Sequence, residues 1–143
     1  MRPCLPLRIL LVEDEVPIAY YLKTGLEKEG YRLADWVTTG EAAVAAARRC
    51  RADLVLMDIR LAGKMDGIEA ATRIREASDI PLVFMTGYQE EEVAERVGPL
   101  GALATLGKPI LIKDLLPLLA GLAARIAARI AARIAADPLS KAP

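Results

Sequence analysis

Four apolar runs in this chain each stop on a residue that a hydrophobic core would not choose. "RILLV" is followed by Glu13 and Asp14, "DLVLM" by Asp58, "PLVFM" by Thr86, and "ALATLG" by Lys108. The runs are short, and longer segments with apolar residues at three- and four-residue spacing lie between them, which is the pattern of a parallel sheet covered by helices. In an open sheet of that kind the residues just past the carboxyl ends of the strands gather in one crevice. The chain is therefore expected to be an α/β domain with Glu13, Asp14, Asp58, Thr86 and Lys108 at one edge.

Strands are expected at residues 7–12, 31–37, 53–57, 80–85 and, more weakly, 102–106. Pro17 sits where a first helix would begin; that helix places Ile18, Leu22, Gly25 and Leu26 on one face and stops at Gly30. Thr38 with Glu41, and Asp66 with Glu69, have capping-box spacing and launch a second, alanine-rich helix through Arg49 and a third helix. A short acidic helix is expected over residues 90–97. The last helical stretch covers residues 112–136, where Pro117 predicts either a kink or a later start near Asp114.

A length of 143 residues fits one domain with its own core. Nineteen basic residues balance nineteen acidic ones, so no net field draws in nucleic acid or an anionic membrane. The apolar stretch before the first acids is too short for a signal peptide or a span, and Cys4 and Cys50 form no metal-ligand or disulfide pattern. They read as reduced thiols, and the expected location is cytoplasmic. Histidine is absent, which excludes a phospho-accepting histidine, a histidine-based triad and most zinc sites.

A carboxylate at a buried strand end needs compensation, because desolvating an unpaired charge costs several kcal/mol. Three of them, Glu13, Asp14 and Asp58, would also repel one another. A hard divalent cation removes both penalties. Magnesium suits a site that supplies a few carboxylate oxygens and leaves room for water and phosphate oxygens. An aspartate beside magnesium can attack a phosphoryl group, with Lys108 and the Thr86 hydroxyl neutralising its equatorial oxygens and Gly87 leaving the approach open.

With "ILLVEDE", "LVLMDIRLAGKMDGIEA", "PLVFMTG" and "GKPI" in this order and spacing, the chain resembles the receiver domain of two-component response regulators over residues 7–119. The resemblance implies a flavodoxin-like, doubly wound, five-stranded parallel sheet of order 2-1-3-4-5. It implies that Asp58 takes a phosphoryl group from a sensor histidine kinase or phosphotransfer protein, while Glu13, Asp14, Asp58 and the backbone carbonyl of Arg60 hold Mg2+. It also implies a cis Lys108–Pro109 bond and a regulator rather than an enzyme, its own catalysis being limited to phosphoryl transfer and dephosphorylation. Arg60 and Tyr88 match positions that influence how long the phosphoryl group survives. The chain departs from the family at Thr105, where many receivers carry an aromatic residue whose rotation reports phosphorylation.

The expected division is a receiver domain over residues 7–120 and an extension over residues 121–143, with no room for a DNA-binding or enzymatic output module. Output would then be protein binding. Two alternatives compete: an interaction protein of the same fold that is not regulated by phosphorylation, and a magnesium-dependent aspartate phosphatase. The latter would need a second aspartate two residues after the nucleophile, and "DIR" at Asp58 lacks it. The extension carries a tandem repeat, "AARIAARIAARI", whose isoleucine stripe drifts by about 40 degrees per repeat on an α-helix. It reads first as a solvated, alanine-rich helix. The sharper readings are a pairing surface, for a homodimer through the last helices or for another partner, and a membrane-surface helix; three arginines make the last weak, and no membrane insertion is expected.

Overall fold

The apolar runs form strands in a computed structural model that describes residues 7–87 and 91–136. In chain order the elements are β1 (Arg8–Val12), α1 (Val16–Lys28), β2 (Arg32–Val37), α2 (Gly40–Arg49), β3 (Leu54–Asp58), α3 (Gly67–Ala77), β4 (Leu82–Thr86), α4 (Glu91–Val97), β5 (Ala104–Gly107) and α5 (Ile112–Ala136), with a 3-10 turn at Gly98–Leu100. The strands pair in parallel in the order β2-β1-β3-β4-β5. This is the doubly wound α/β topology.

Every residue of β3 and β4 is buried, because helices cover both faces of the sheet. Alternate side chains divide into two cores. Ile9, Leu11, Leu56 and Met85 pack with Leu22 and Leu26 of α1 and with Leu115, Leu119 and Leu122 of α5. Leu10, Val12, Met57 and Phe84 pack on the other face with Ala43 and Ala46 of α2, Ile68 and Ile74 of α3, and Val97 of α4. The order reverses between β1 and β3, so their following loops diverge to opposite faces and open a crevice at the carboxyl edge.

Several boundaries differ from the sequence expectation. Thr39, not Thr38, caps α2: its Oγ1 accepts from the Ala42 amide at 3.1 Å. The cap moves by one because Gly40 must be the first helical residue, packed so closely on Met65 that a Cβ there would sit 2.9 Å from the Met65 carbonyl. β3 and β4 extend one residue further than expected, to Asp58 and Thr86, because both residues still pair with a neighbouring strand. α5 starts at Ile112 rather than near Asp114 and runs unbroken through Pro117. Pro117 and Lys113 are exposed, so the Lys113 carbonyl that loses its helical donor faces water. Asp66 caps α3 as expected, accepting from the Glu69 amide at 2.8 Å. The Lys108–Pro109 bond is cis.

Gly67 begins α3 where a Cβ would collide with the Asp58 carbonyl, whereas Gly121 in α5 has nothing near such an atom. Gly67→Ala should therefore destabilise the fold by about 1–3 kcal/mol through forced backbone movement. Gly121→Ala should stabilise it by about 0.5–1 kcal/mol through helix propensity. Urea denaturation of both variants checks the contrast.

Candidate functional site

β1 and β3 lie side by side, with Val12 opposite Met57, so the residues that follow them, Glu13 and Asp58, end up adjacent. Glu13 is fully buried and Asp58 is 3% exposed. Asp14, half-buried, completes the group: one carboxylate oxygen from each of the three lies within 4.8 Å of the others. β4 delivers Thr86, 5% exposed, and β5 pairs beside it, where the Lys108 amide donates to the Thr86 carbonyl at 2.7 Å. The five strand-end residues named from sequence are brought to one edge.

Lys108 Nζ donates to Glu13 Oε1 at 2.9 Å and to Asp58 Oδ2 at 3.0 Å. One ammonium thus offsets two buried carboxylates. It does not offset them fully. Burial above all, with Asp58 beside it, pushes the Glu13 carboxyl up from 4.5 to about 7, while Lys108 opposes the rise. Burial disfavours the Lys108 ammonium, but hydrogen bonds and charge from Glu13 and Asp58 outweigh it and hold the group above its ordinary value. A buried carboxylate reluctant to ionise is a site short of positive charge. Three hard oxygen donors within reach of one point fit a divalent cation of the magnesium type.

Two further contacts frame the site, and neither could be read from sequence spacing. The Asp14 carboxylate accepts from the Ala62 amide at 3.1 Å, tying the acid to the loop after β3. The Trp36 indole on β2 donates to the Glu13 carbonyl at 2.9 Å. Arg60 is exposed, two residues after Asp58. Tyr88 lies outside the described residues. Thr105 is exposed on β5, opposite Phe84 in the strand pairing.

The family model for the response regulator receiver domain matches residues 9–120. The chain belongs to this family. It is 38% identical over 112 residues to the transcriptional regulatory protein PdtaR of Mycobacterium tuberculosis, a match covering 78% of this chain and 54% of PdtaR. The chain thus spans about half the length of the curated relatives it matches first. Among solved structures it is similar to the receiver domain of the sensor histidine kinase PA1611 of Pseudomonas aeruginosa, with a TM-score of 0.71, 32% identity, and 80% and 94% of the two chains covered. That structure has a magnesium ion coordinated in its active site cleft. It is also similar to the chemotaxis protein CheY4 of Vibrio cholerae, with a TM-score of 0.74, 25% identity, and 82% and 98% covered. Receiver domains are signalling modules that bind magnesium in an acidic pocket and interact with histidine kinases and phosphotransfer proteins.

Because the native Glu13 carboxyl holds its proton up to about pH 7 and an unfolded one only to about 4.5, the folded chain binds more protons in that window. Its contribution to stability in the absence of divalent cations should fall as pH rises from about 4.5 to about 7 and level off above. Magnesium affinity should climb over the same window, since the ligand must be ionised. Chemical denaturation across pH, compared with Glu13→Gln, should show this component of the slope missing in the variant.

Proposed function

We propose that this receiver domain takes a phosphoryl group on Asp58 from a partner histidine kinase or phosphotransfer protein in a Mg2+-dependent reaction, and signals by protein binding. The observation that carries the reading is that the Lys108 ammonium bridges the buried Glu13 and Asp58 carboxylates at 2.9 and 3.0 Å, beside Asp14. Glu13, Asp14, Asp58 and the Arg60 backbone carbonyl would hold the metal, which supplies charge neutralisation for the transferring group.

Lys108 orients the Asp58 carboxylate through Oδ2. The carboxylate attacks phosphorus in line; an oxygen–phosphorus bond forms as the donor's nitrogen–phosphorus bond breaks, and the donor imidazole keeps its electron pair. Thr86, buried at the end of β4, would donate its hydroxyl to an equatorial phosphoryl oxygen, and Lys108 would neutralise another. Gly87, exposed and with open space where a Cβ would lie, keeps the approach clear. Water then reverses the modification by attack on the acyl phosphate.

A protein donor is favoured by the surface beside the pocket. Val16, Tyr20, Tyr21 and Leu111 are 59%, 65%, 45% and 43% exposed, and an apolar depression of about 310 Å³ runs from Pro17 and Tyr21 to Lys108 and Leu111. Such a patch is what a docking partner would cover. A cytoplasmic location follows from the same reading. Residues 7–120 would form the phosphorylated unit, with the remainder of α5 as its extension.

Intact mass after incubation with magnesium and acetyl phosphate tests the proposal. One added phosphoryl group is expected, and none on Asp58→Asn, whose circular dichroism should be unchanged. If the chain gains no mass and also forms no beryllofluoride complex, the phosphorylation reading falls and an interaction protein of the same fold replaces it. Trp36 offers a second readout, being the one tryptophan of the chain and bonded to the Glu13 carbonyl. Its emission should change on titration with Mg2+, and Lys108→Ala should leave that titration more intact than the response to beryllofluoride.

A further inference from the structure

α5 outruns the sheet. It starts at the carboxyl edge and runs back past the amino edge, where its last buried core residue is Leu122. Residues 123–136 continue for about 20 Å at 1.5 Å per residue. Over this length the arginines 125, 129 and 133 are all exposed, no acidic residue occurs, and Ile130 and Ile134 are 53% and 56% exposed. Ile126 is half-buried against the core beneath. At the base of the extension lies a depression of about 250 Å³, walled by Leu103, Leu122 and Ile126 and edged by Arg125, Arg129 and Asp53. Asp53 already accepts the Arg8 amide at 2.9 Å.

We propose that this extension and the depression at its base form a docking surface for an acidic, amphipathic helix of a partner protein. Charge complementarity selects the occupant. Three arginines at four-residue spacing lie along one helical stripe beside the isoleucine stripe, so glutamates at the same spacing can meet them while apolar residues cover Ile130 and enter the depression. Alanine fills the other two stripes, which lets a second helix approach closely.

A second copy of the chain fits less well. Antiparallel extensions would set one arginine stripe against the other, and residues 123–136 carry no acidic side chain to relieve them. A lipid surface fits less well too. α5 is the one described helix long and apolar enough to span a bilayer, with mean hydropathy 1.6, but Leu115, Leu119 and Leu122 on it are committed to the core. Beyond the core, the exposed bulky apolar side chains are Ile130 and Ile134, with alanines between them, which is little to insert into a bilayer. Docking is therefore expected to be weak, reversible and salt-dependent.

The test uses the full chain and a labelled, capped peptide, AAEIAAEIAAEI, with AAKIAAKIAAKI as its opposite-charge control. Fluorescence anisotropy should show saturable binding of the acidic peptide only, weakened by added salt. Reversal of all three charges (Arg125→Glu, Arg129→Glu, Arg133→Glu) should weaken it at least about tenfold. Ile130→Ser, at an exposed position, should weaken it without altering the circular dichroism; it decides the matter if the charge-reversed variant loses helix. Equal binding of both peptides, or of neither, overturns the proposal. So does displacement of the acidic peptide by phosphatidylglycerol vesicles but not phosphatidylcholine vesicles, which would assign the surface to lipid. Sedimentation as an oligomer that excludes the peptide would assign it to a second copy.

Discussion

Lys108 Nζ makes contact with two carboxylates that the fold buries, Glu13 at 2.9 Å and Asp58 at 3.0 Å. The rest of the carboxyl edge depends on this arrangement. Removing the ammonium would leave two charges in a region almost without solvent, a situation far costlier than the pair itself is stabilising. Keeping it still leaves the acids in excess, which is why the Glu13 carboxyl is pushed up to about 7. The site is built to be relieved by further positive charge. That property, more than any one side chain, makes a metal-assisted reaction at Asp58 physically reasonable.

The covering helices convert this edge into a defined place. α1 and α5 occupy one face of the sheet, α2, α3 and α4 the other, and the crevice opens where the chain passes between them at β1 and β3. Asp66 serves both the edge and the face. Its Oδ1 caps α3 and its Oδ2 receives Arg96 of α4 at 2.9 Å, so the loop that follows Asp58 is held to α4. The α5 extension lies past the opposite edge, about 17 Å away for strands of five residues. A partner there and a phosphodonor at the acid pocket would not compete for the same surface.

The four apolar runs, their polar terminations and the capping aspartate at Asp66 were legible because each is a local pattern: strand burial on both faces and a side chain reaching three residues along a helix start. Element ends were less legible. β3 and β4 each gain a residue at the carboxyl end from pairing across the sheet, and the α2 cap shifts from Thr38 to Thr39 because Gly40 must meet Met65. These are decided by neighbours distant in sequence. Pro117 predicts a kink or a later start of α5 near Asp114, yet it lies at an exposed position, where the missing hydrogen bond costs least.

The sequence by itself determined the kind of site: which strand ends carry oxygen donors, which carries the ammonium, and that this chain supplies no imidazole to it. Only the tertiary structure decided that the ammonium bridges Glu13 and Asp58 across separations of 95 and 50 residues. It alone decided that Trp36 reaches the Glu13 carbonyl and that Asp14 is tied to Ala62. Residue types and their order along strands are written locally, because strand and helix periods are local. Which polar atoms meet, and how little water they keep, depends on the packing of elements that share no sequence neighbourhood.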